Sequence, residues 1–217
     1  MEQTKVSKVT NPEQKQKISG RWKLLAVLAV CAAPMIFSYL TYYVIKPQAR
    51  TNFGTLIDPR AHPVPPTLGA TTLDAKPASL EQYKGKWVLL KVGPSTCAKE
   101  CMEQMFAMQQ VRSMTGKEMG RIERLWLVTD AAPLDTMLMR QLDGMRILRA
   151  PGAAVAQWLP AEPNAALEEG LWLIDPVGHL MMRFPKVPAG AAEADKVQHY
   201  AKVKKDIGKL LKASAIG

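Results

Sequence analysis

The stretch Val88-Leu89-Leu90-Lys91-Val92-Gly93-Pro94-Ser95-Thr96-Cys97-Ala98-Lys99-Glu100-Cys101 decides how the chain is read. Its aliphatic run stops at Gly93-Pro94, as a buried strand does at a turn. The residues that follow, Ala98 to Met114, contain neither Pro nor Gly and have helical composition. Two cysteines therefore fall where a strand hands over to a helix. Backbone N–H groups in the first turn of a helix lack intrahelical partners and carry partial positive charge, which favours a thiolate there. Lys99 adds a cation and Glu100 opposes it. If the first turn of the helix includes both, a spacing of four residues puts the two sulfurs on one face. Such a pair is equipped to close a disulfide, to hold one soft metal ion, or simply to pack.

The remainder of the chain reads as support for that pair. At 217 residues there is room for one ordinary domain and extensions. Aromatic residues are few and methionine is frequent, so thioethers are expected to fill more of the core than rings do. The formal charge of +10 raises nucleic acid as a partner, but its distribution excludes that class. Lys5, Lys8, Lys15, Lys17, Arg21 and Lys23 precede an apolar span, and Lys196, Lys202, Lys204, Lys205, Lys209 and Lys212 lie on the last helical segment. No motif interleaves base-stacking aromatics with these charges.

From Leu24 to Ile45 no residue is charged, and 22 residues at helical rise reach about 33 Å, the thickness of a bilayer core. This predicts one uncleaved transmembrane helix, with Trp22 at one end, Tyr39, Tyr42 and Tyr43 near the other, and a kink at Pro34. Cys31 lies inside it as a small apolar residue. The basic residues ahead of the span outnumber Lys46 and Arg50 behind it, which sets the N-terminus in the cytoplasm and exports the rest. The expected organisation is a basic tail over 1–23, the transmembrane helix over 24–45, a proline-rich extended linker over 46–66 carrying an exposed His62, and a globular domain over 67–217.

Within that domain, strands are expected at Trp87–Val92, Leu125–Val128, Met145–Leu148 and Leu171–Asp175. Pro176-Val177-Gly178 turns the last of these into a hairpin with His179–Phe184. Helices are expected after the cysteines, from beyond Pro133 to Leu142, and over Ala153–Leu159. A final helix should bury Val197, Tyr200, Val203, Ile207, Leu210 and Leu211, with its lysines on the solvated face. The sum is an α/β fold, a mixed sheet covered by helices.

Three phrases resemble a known family. They are Leu73-Asp74-Ala75-Lys76-Pro77-Ala78-Ser79-Leu80, then Tyr83-Lys84-Gly85-Lys86-Trp87-Val88-Leu89-Leu90, then Cys97-Ala98-Lys99-Glu100-Cys101. Together they look like the thioredoxin-like Sco family, as does the hairpin phrase Leu173-Ile174-Asp175-Pro176-Val177-Gly178 and the single preceding anchor. The resemblance covers roughly Thr67 to Leu211. It implies a thioredoxin-like domain behind one transmembrane helix in a bacterial inner membrane, with the domain in the periplasm. It also implies partners among cytochrome c oxidase subunits or other assembly factors, and copper as what is handled. Only Cys97 and Cys101 carry over as site residues. The family's third copper ligand is a histidine, and the corresponding region here reads Ala166-Leu167-Glu168-Glu169; the proline usual after the second cysteine is Met102.

Three functions stay open on the residues. In the first, Cys97 and Cys101 bind copper, with His179 at the hairpin as a candidate third ligand, Met181 and Met182 close by in sequence, and His199 a weaker alternative. In the second the pair is catalytic in thiol-disulfide exchange on exported cysteines, Cys97 attacking and Cys101 resolving. In the third the pair is a structural disulfide in a docking domain. No further cofactor site is read.

Overall fold

The computed structural model describes residues 20–45, 52–65, 68–160 and 165–214. The basic residues up to Lys17 and the linker residues 46–51 lie outside them. The chain divides into two compact units, residues 1–50 and 51–217.

The first unit is a helix, α1 (Gly20–Leu40), continued through Thr41–Ile45 in wider π-type turns. The 26 residues from Gly20 to Ile45 are long and apolar enough to cross a membrane. None of its side chains is buried within the protein, as expected where lipid is the solvent. Near its C-terminal end Tyr39 stacks on Tyr43 with ring centroids 4.9 Å apart, and Tyr42 meets Tyr43 edge-on at 4.8 Å, the arrangement of an interfacial aromatic girdle.

The second unit is a six-stranded mixed sheet. Its strands are β1 (Thr55–Leu56), β2 (Trp87–Gly93), β3 (Ile122–Val128), β4 (Arg146–Arg149), β5 (Leu171–Ile174) and β6 (Leu180–Phe184), in the spatial order β1-β6-β5-β2-β3-β4. Strands β2, β3 and β4 run parallel. β5 is antiparallel to β2, and β6 and β1 follow antiparallel. Helices α2 (Lys99–Ser113), α3 (Thr136–Gln141), α4 (Gly152–Trp158) and α5 (Glu193–Ala213) complete the unit.

Alternation along each strand divides the core between two faces. Trp87 and Leu89 of β2 pack with Trp126, Met105 and Met108 of α2, and Val203 and Ile207 of α5. Val88, Leu90 and Val92 pack on the opposite face with Leu125, Leu127, Trp172, and Val155 and Trp158 of α4. Both faces are covered, so β2 is buried at every position. Methionines fill gaps as expected, yet Trp126 and Trp172 are the largest fully buried side chains.

Two expectations need correction. Residues 52–65, read as part of a free linker over 46–66, belong to the sheet unit. β1 pairs with β6, the Val64 N–H donates to the Gly178 carbonyl at 2.9 Å, and the Leu180 N–H donates to the His62 carbonyl at 3.0 Å. His62 is half-buried, its Nδ1 3.0 Å from the Trp158 carbonyl oxygen. Prolines that discourage regular structure do not prevent a two-residue strand from using the edge of β6. On α5, Val197 is 64% exposed, whereas His199 and Asp206 are buried. The buried row is His199, Val203, Ile207 and Leu211, with spacing of four throughout.

Asp206 explains its own burial. At 2% exposure its Oδ2 accepts from the Phe53 and Gly54 N–H groups at 2.5 and 3.0 Å, and its Oδ1 accepts from Lys209 Nζ at 2.9 Å. Next to it, a Cβ on Gly54 would stand 2.5 Å from Met182 Sδ, so only glycine lets the chain lie this close to β6. Asp206→Ala leaves one buried and one half-buried backbone donor unpaired and is expected to cost about 2–4 kcal/mol in denaturant unfolding of the full chain, with a larger loss than Lys209→Ala.

Candidate functional site

Strand β2 ends at Gly93, and the chain then crosses the edge of the sheet to reach α2. Asp130, just past the end of β3, holds that crossing in place. Its Oδ2 accepts from the Ser95 N–H at 2.9 Å and from the Ser95 hydroxyl at 3.0 Å, while the Thr129 N–H donates to the Gly93 carbonyl at 3.1 Å. Arg149 secures Asp130 from the far side by donating to its carbonyl at 2.6 Å. In sequence Asp130 is only a polar residue two positions beyond the aliphatic run that ends at Val128. The signal available was an acidic residue at the carboxyl edge of a parallel strand pair, where ligand and loop contacts gather.

On this fixed loop Cys97 and Cys101 are joined in a disulfide, with Cα atoms 5.2 Å apart. Of the three options open in the sequence, disulfide closure is the state of the structure. Cys97 precedes α2, Cys101 lies in its first turn, and both are half-buried against the core face of the sheet. The helix begins at Ala98, which offers no side-chain cap, so the first-turn N–H groups stay available to stabilise negative charge on sulfur.

Cys101 opens onto a cleft of about 470 Å³. Its walls are the first turn of α2, the 3-10 turn Leu167–Glu169, the segment from Lys186 to Ala191, and Lys196 and Tyr200 of α5. Four lysines and four glutamates line it: Lys91, Lys99, Lys186 and Lys196 against Glu100, Glu103, Glu168 and Glu169. Most are paired. Lys186 meets Glu169 at 2.5 Å and Lys196 meets Glu103 at 2.8 Å. These partners hold the carboxyls of Glu169 and Glu103 below the usual range. Tyr200 is pushed up to about 12 by burial, with Glu103 adding to it.

Lys91 differs from the others. It is 3% exposed, its Nζ donates to the Glu168 carbonyl, and among the described residues no carboxylate pairs with it. Burial pushes it down to about 8, against the opposing pull of Glu168 and Glu169. Its one signal in the sequence is a charged residue inside an aliphatic run.

The structure does not bring His179 to the cysteines, which corrects its expected role as a third ligand. His179 follows the turn between β5 and β6, beside the Val88 end of β2, since Val88 pairs with Ile174 and Ile174 with Leu180. The cysteines lie beyond Gly93 at the other end, about 17 Å of strand away. His179 Nδ1 instead faces Asp175 Oδ2 at 3.4 Å. His199 is buried with Nε2 3.0 Å from the Pro185 carbonyl oxygen. Met181 and Met182 do not line the cleft. Among the described residues no cluster of three His, Cys, Asp or Glu side chains forms a metal cage. In place of the family histidine stand Glu168 and Glu169, at the cleft wall.

Residues 14–44 match the transmembrane-like N-terminal domain, and residues 87–214 match the transmembrane-like, thioredoxin-like C-terminal domain. The chain belongs to the transmembrane-like, thioredoxin-like family. In this family's terms α1 falls in the transmembrane-like domain and the sheet unit from β2 onward in the thioredoxin-like domain.

The fold is similar to that of several solved proteins. A putative protein disulfide isomerase from Bacteroides thetaiotaomicron aligns at TM-score 0.50 and 20% identity, over 75% of this chain and 95% of that one. BsSco, a member of the Sco family of cytochrome c oxidase assembly proteins with an identified disulfide switch, aligns at 0.50 and 15%, over 72% and 98%. Copper-bound yeast Sco1 aligns at 0.49 and 14%, over 77% and 97%. No curated protein matches the chain. The Sco likeness expected from sequence is thus present in the fold of this transmembrane-like, thioredoxin-like protein.

The buried lysine has a measurable consequence for stability. Between pH 8 and the ordinary lysine value of 10.5, the unfolded chain holds a proton that the folded chain has released, so stability rises with pH through this window. Below pH 8 the charged ammonium costs up to about 3 kcal/mol. Lys91→Met is expected to abolish the rise, as read by denaturant unfolding of the full chain in detergent at pH 7, 9 and 10.5.

Proposed function

We propose that this protein is a membrane-anchored thiol-disulfide oxidoreductase, with Cys97 and Cys101 as its redox pair, acting on cysteines of exported proteins. The observation that carries this reading is the disulfide closed across the first turn of α2 at the mouth of a cleft. A sulfur at the start of a helix is a good leaving group, because the helix stabilises the thiolate it becomes. Cys97, on the loop ahead of the helix, exchanges with the substrate sulfur. Cys101 leaves or resolves.

The charge bias around α1 supports a cytoplasmic N-terminus, with the thioredoxin-like domain on the far side of a bacterial inner membrane. The resemblance to Sco proteins supports an oxidase subunit or another assembly factor as the substrate, with the thiols of a copper site as the cysteines acted on. A second reading takes copper as cargo. Once reduced, two thiolates with Cα atoms 5.2 Å apart suit Cu(I) without a histidine.

Equilibration of the full chain in detergent with glutathione buffers tests the first reading. Expected are a midpoint less negative than about −300 mV and exchange within minutes. Cys97→Ser should abolish turnover, and Cys101→Ser should trap a mixed disulfide. A midpoint well below that value with slow exchange means a structural bridge. Anaerobic Cu(I) titration of the reduced chain tests the second: one equivalent bound, lost in Cys97→Ser and unchanged in His179→Ala, supports cargo binding.

A further inference from the structure

Lys91 is the one cleft lysine with neither solvent nor an ion-pair partner, and the redox reading above leaves it without a task. Its position is fixed by two neighbouring hydrogen bonds. Lys91 Nζ donates to the Glu168 carbonyl, and Gln104 Nε2 donates to the next carbonyl, that of Glu169, at 2.8 Å. Lys91 therefore stands beside Gln104. Gln104 is three residues beyond Cys101 on α2, and residues at that spacing are neighbours on one helix face. Lys91 shares its sheet face with Leu89, the face that packs against α2 and carries both cysteines. Lys91 and Cys101 also line the same cleft. The Glu168 side chain lies over the Gly93 end of β2, its Cγ 3.5 Å from where a Cβ on Gly93 would stand.

We propose that Lys91 is a positioning residue for the redox pair, a buried ammonium that holds Cys101 as a thiolate whenever the disulfide is open. The inference rests on the pair being redox-active. In the exchange step the substrate thiolate forms a bond to Cys97 Sγ, the Cys97–Cys101 bond breaks, and its electron pair remains on Cys101 Sγ. The new charge appears in a cleft where Glu169 engages Lys186 and Glu103 engages Lys196, while Lys99 stands exposed to solvent. The opening of the disulfide thus supplies the counter-ion that Lys91 lacks while the disulfide is closed. In the reverse step the same ammonium keeps Cys101 deprotonated and ready to attack the mixed disulfide, releasing the substrate as a thiolate.

The groups that face Lys91 shape its response to pH. Glu168 and Glu169 on the 3-10 turn favour its charge; Lys186 after β6, Lys99 at the start of α2, Lys196 on α5, Glu100, Glu103 and Tyr200 line the same cleft. Since burial holds the free lysine near 8, it is charged at neutral pH and loses that charge only in mild alkali while the disulfide is closed.

The test makes Cys101 the sole thiol of the full chain in detergent, with Cys31→Ser and Cys97→Ser, and follows its alkylation by iodoacetamide from pH 5 to 10. The expected profile has its midpoint below the ordinary thiol value of about 8.5. Lys91→Met should raise the midpoint and slow alkylation at pH 7 about tenfold, Lys91→Gln should do the same, and Lys91→Arg should restore the original profile. Far-UV dichroism confirms that each variant is folded, and the two neutral replacements serve for one another if either is not. Superimposable profiles for Lys91 and both neutral variants overturn the proposal, as does an arginine variant that behaves like methionine. The glutathione midpoint is measured separately, so a structural disulfide is told apart from a lysine that does not act on Cys101.

Discussion

Everything at the site depends on β2 being paired on both edges and buried on both faces. Parallel pairing to β3 and antiparallel pairing to β5 leave it no freedom to slide, because a one-residue slip would exchange the two cores. Its carboxyl end is consequently a fixed point in the molecule. Asp130 extends that rigidity by two hydrogen bonds into the loop that carries Cys97. The cysteines follow the carboxyl end of this central strand, on a loop the fold holds in place.

Burial of the same strand creates the chemistry beside it. A strand covered on both faces normally carries only apolar side chains. Lys91 breaks that rule at the position where its face meets the first turn of α2, and the cost is visible in its lowered pKa. A buried cation facing a carbonyl rather than a carboxylate is poorly compensated. Such a residue destabilises the oxidised fold and is relieved by negative charge appearing nearby. Stability and redox state are then coupled through one side chain.

The sequence was legible where periodicity and punctuation agreed. The aliphatic run ending at Gly93-Pro94 marked β2, Pro176-Val177-Gly178 marked the hairpin, and the row through Val203, Ile207 and Leu211 marked α5. What it concealed had long-range causes. Thr55–Leu56 became a strand because β6 offered an edge and Asp206, some 150 residues away, bound the backbone beside it; no local pattern announces that. His179 looked available because it is next to a turn, but strand direction sends the hairpin to the end of the sheet away from the cysteines. Glu168 and Glu169 entered the cleft because the 3-10 turn folds over the end of β2, a matter of tertiary packing.

The two outer strands carry a consequence of their own. β1 is only two residues long, and β4 has its outward backbone engaged by Thr71, whose N–H and carbonyl exchange hydrogen bonds with Arg149 at 2.8 Å each. Neither rim offers the long unsatisfied ribbon on which foreign polypeptide zips up. Copies brought side by side thus have little sheet edge to polymerise on.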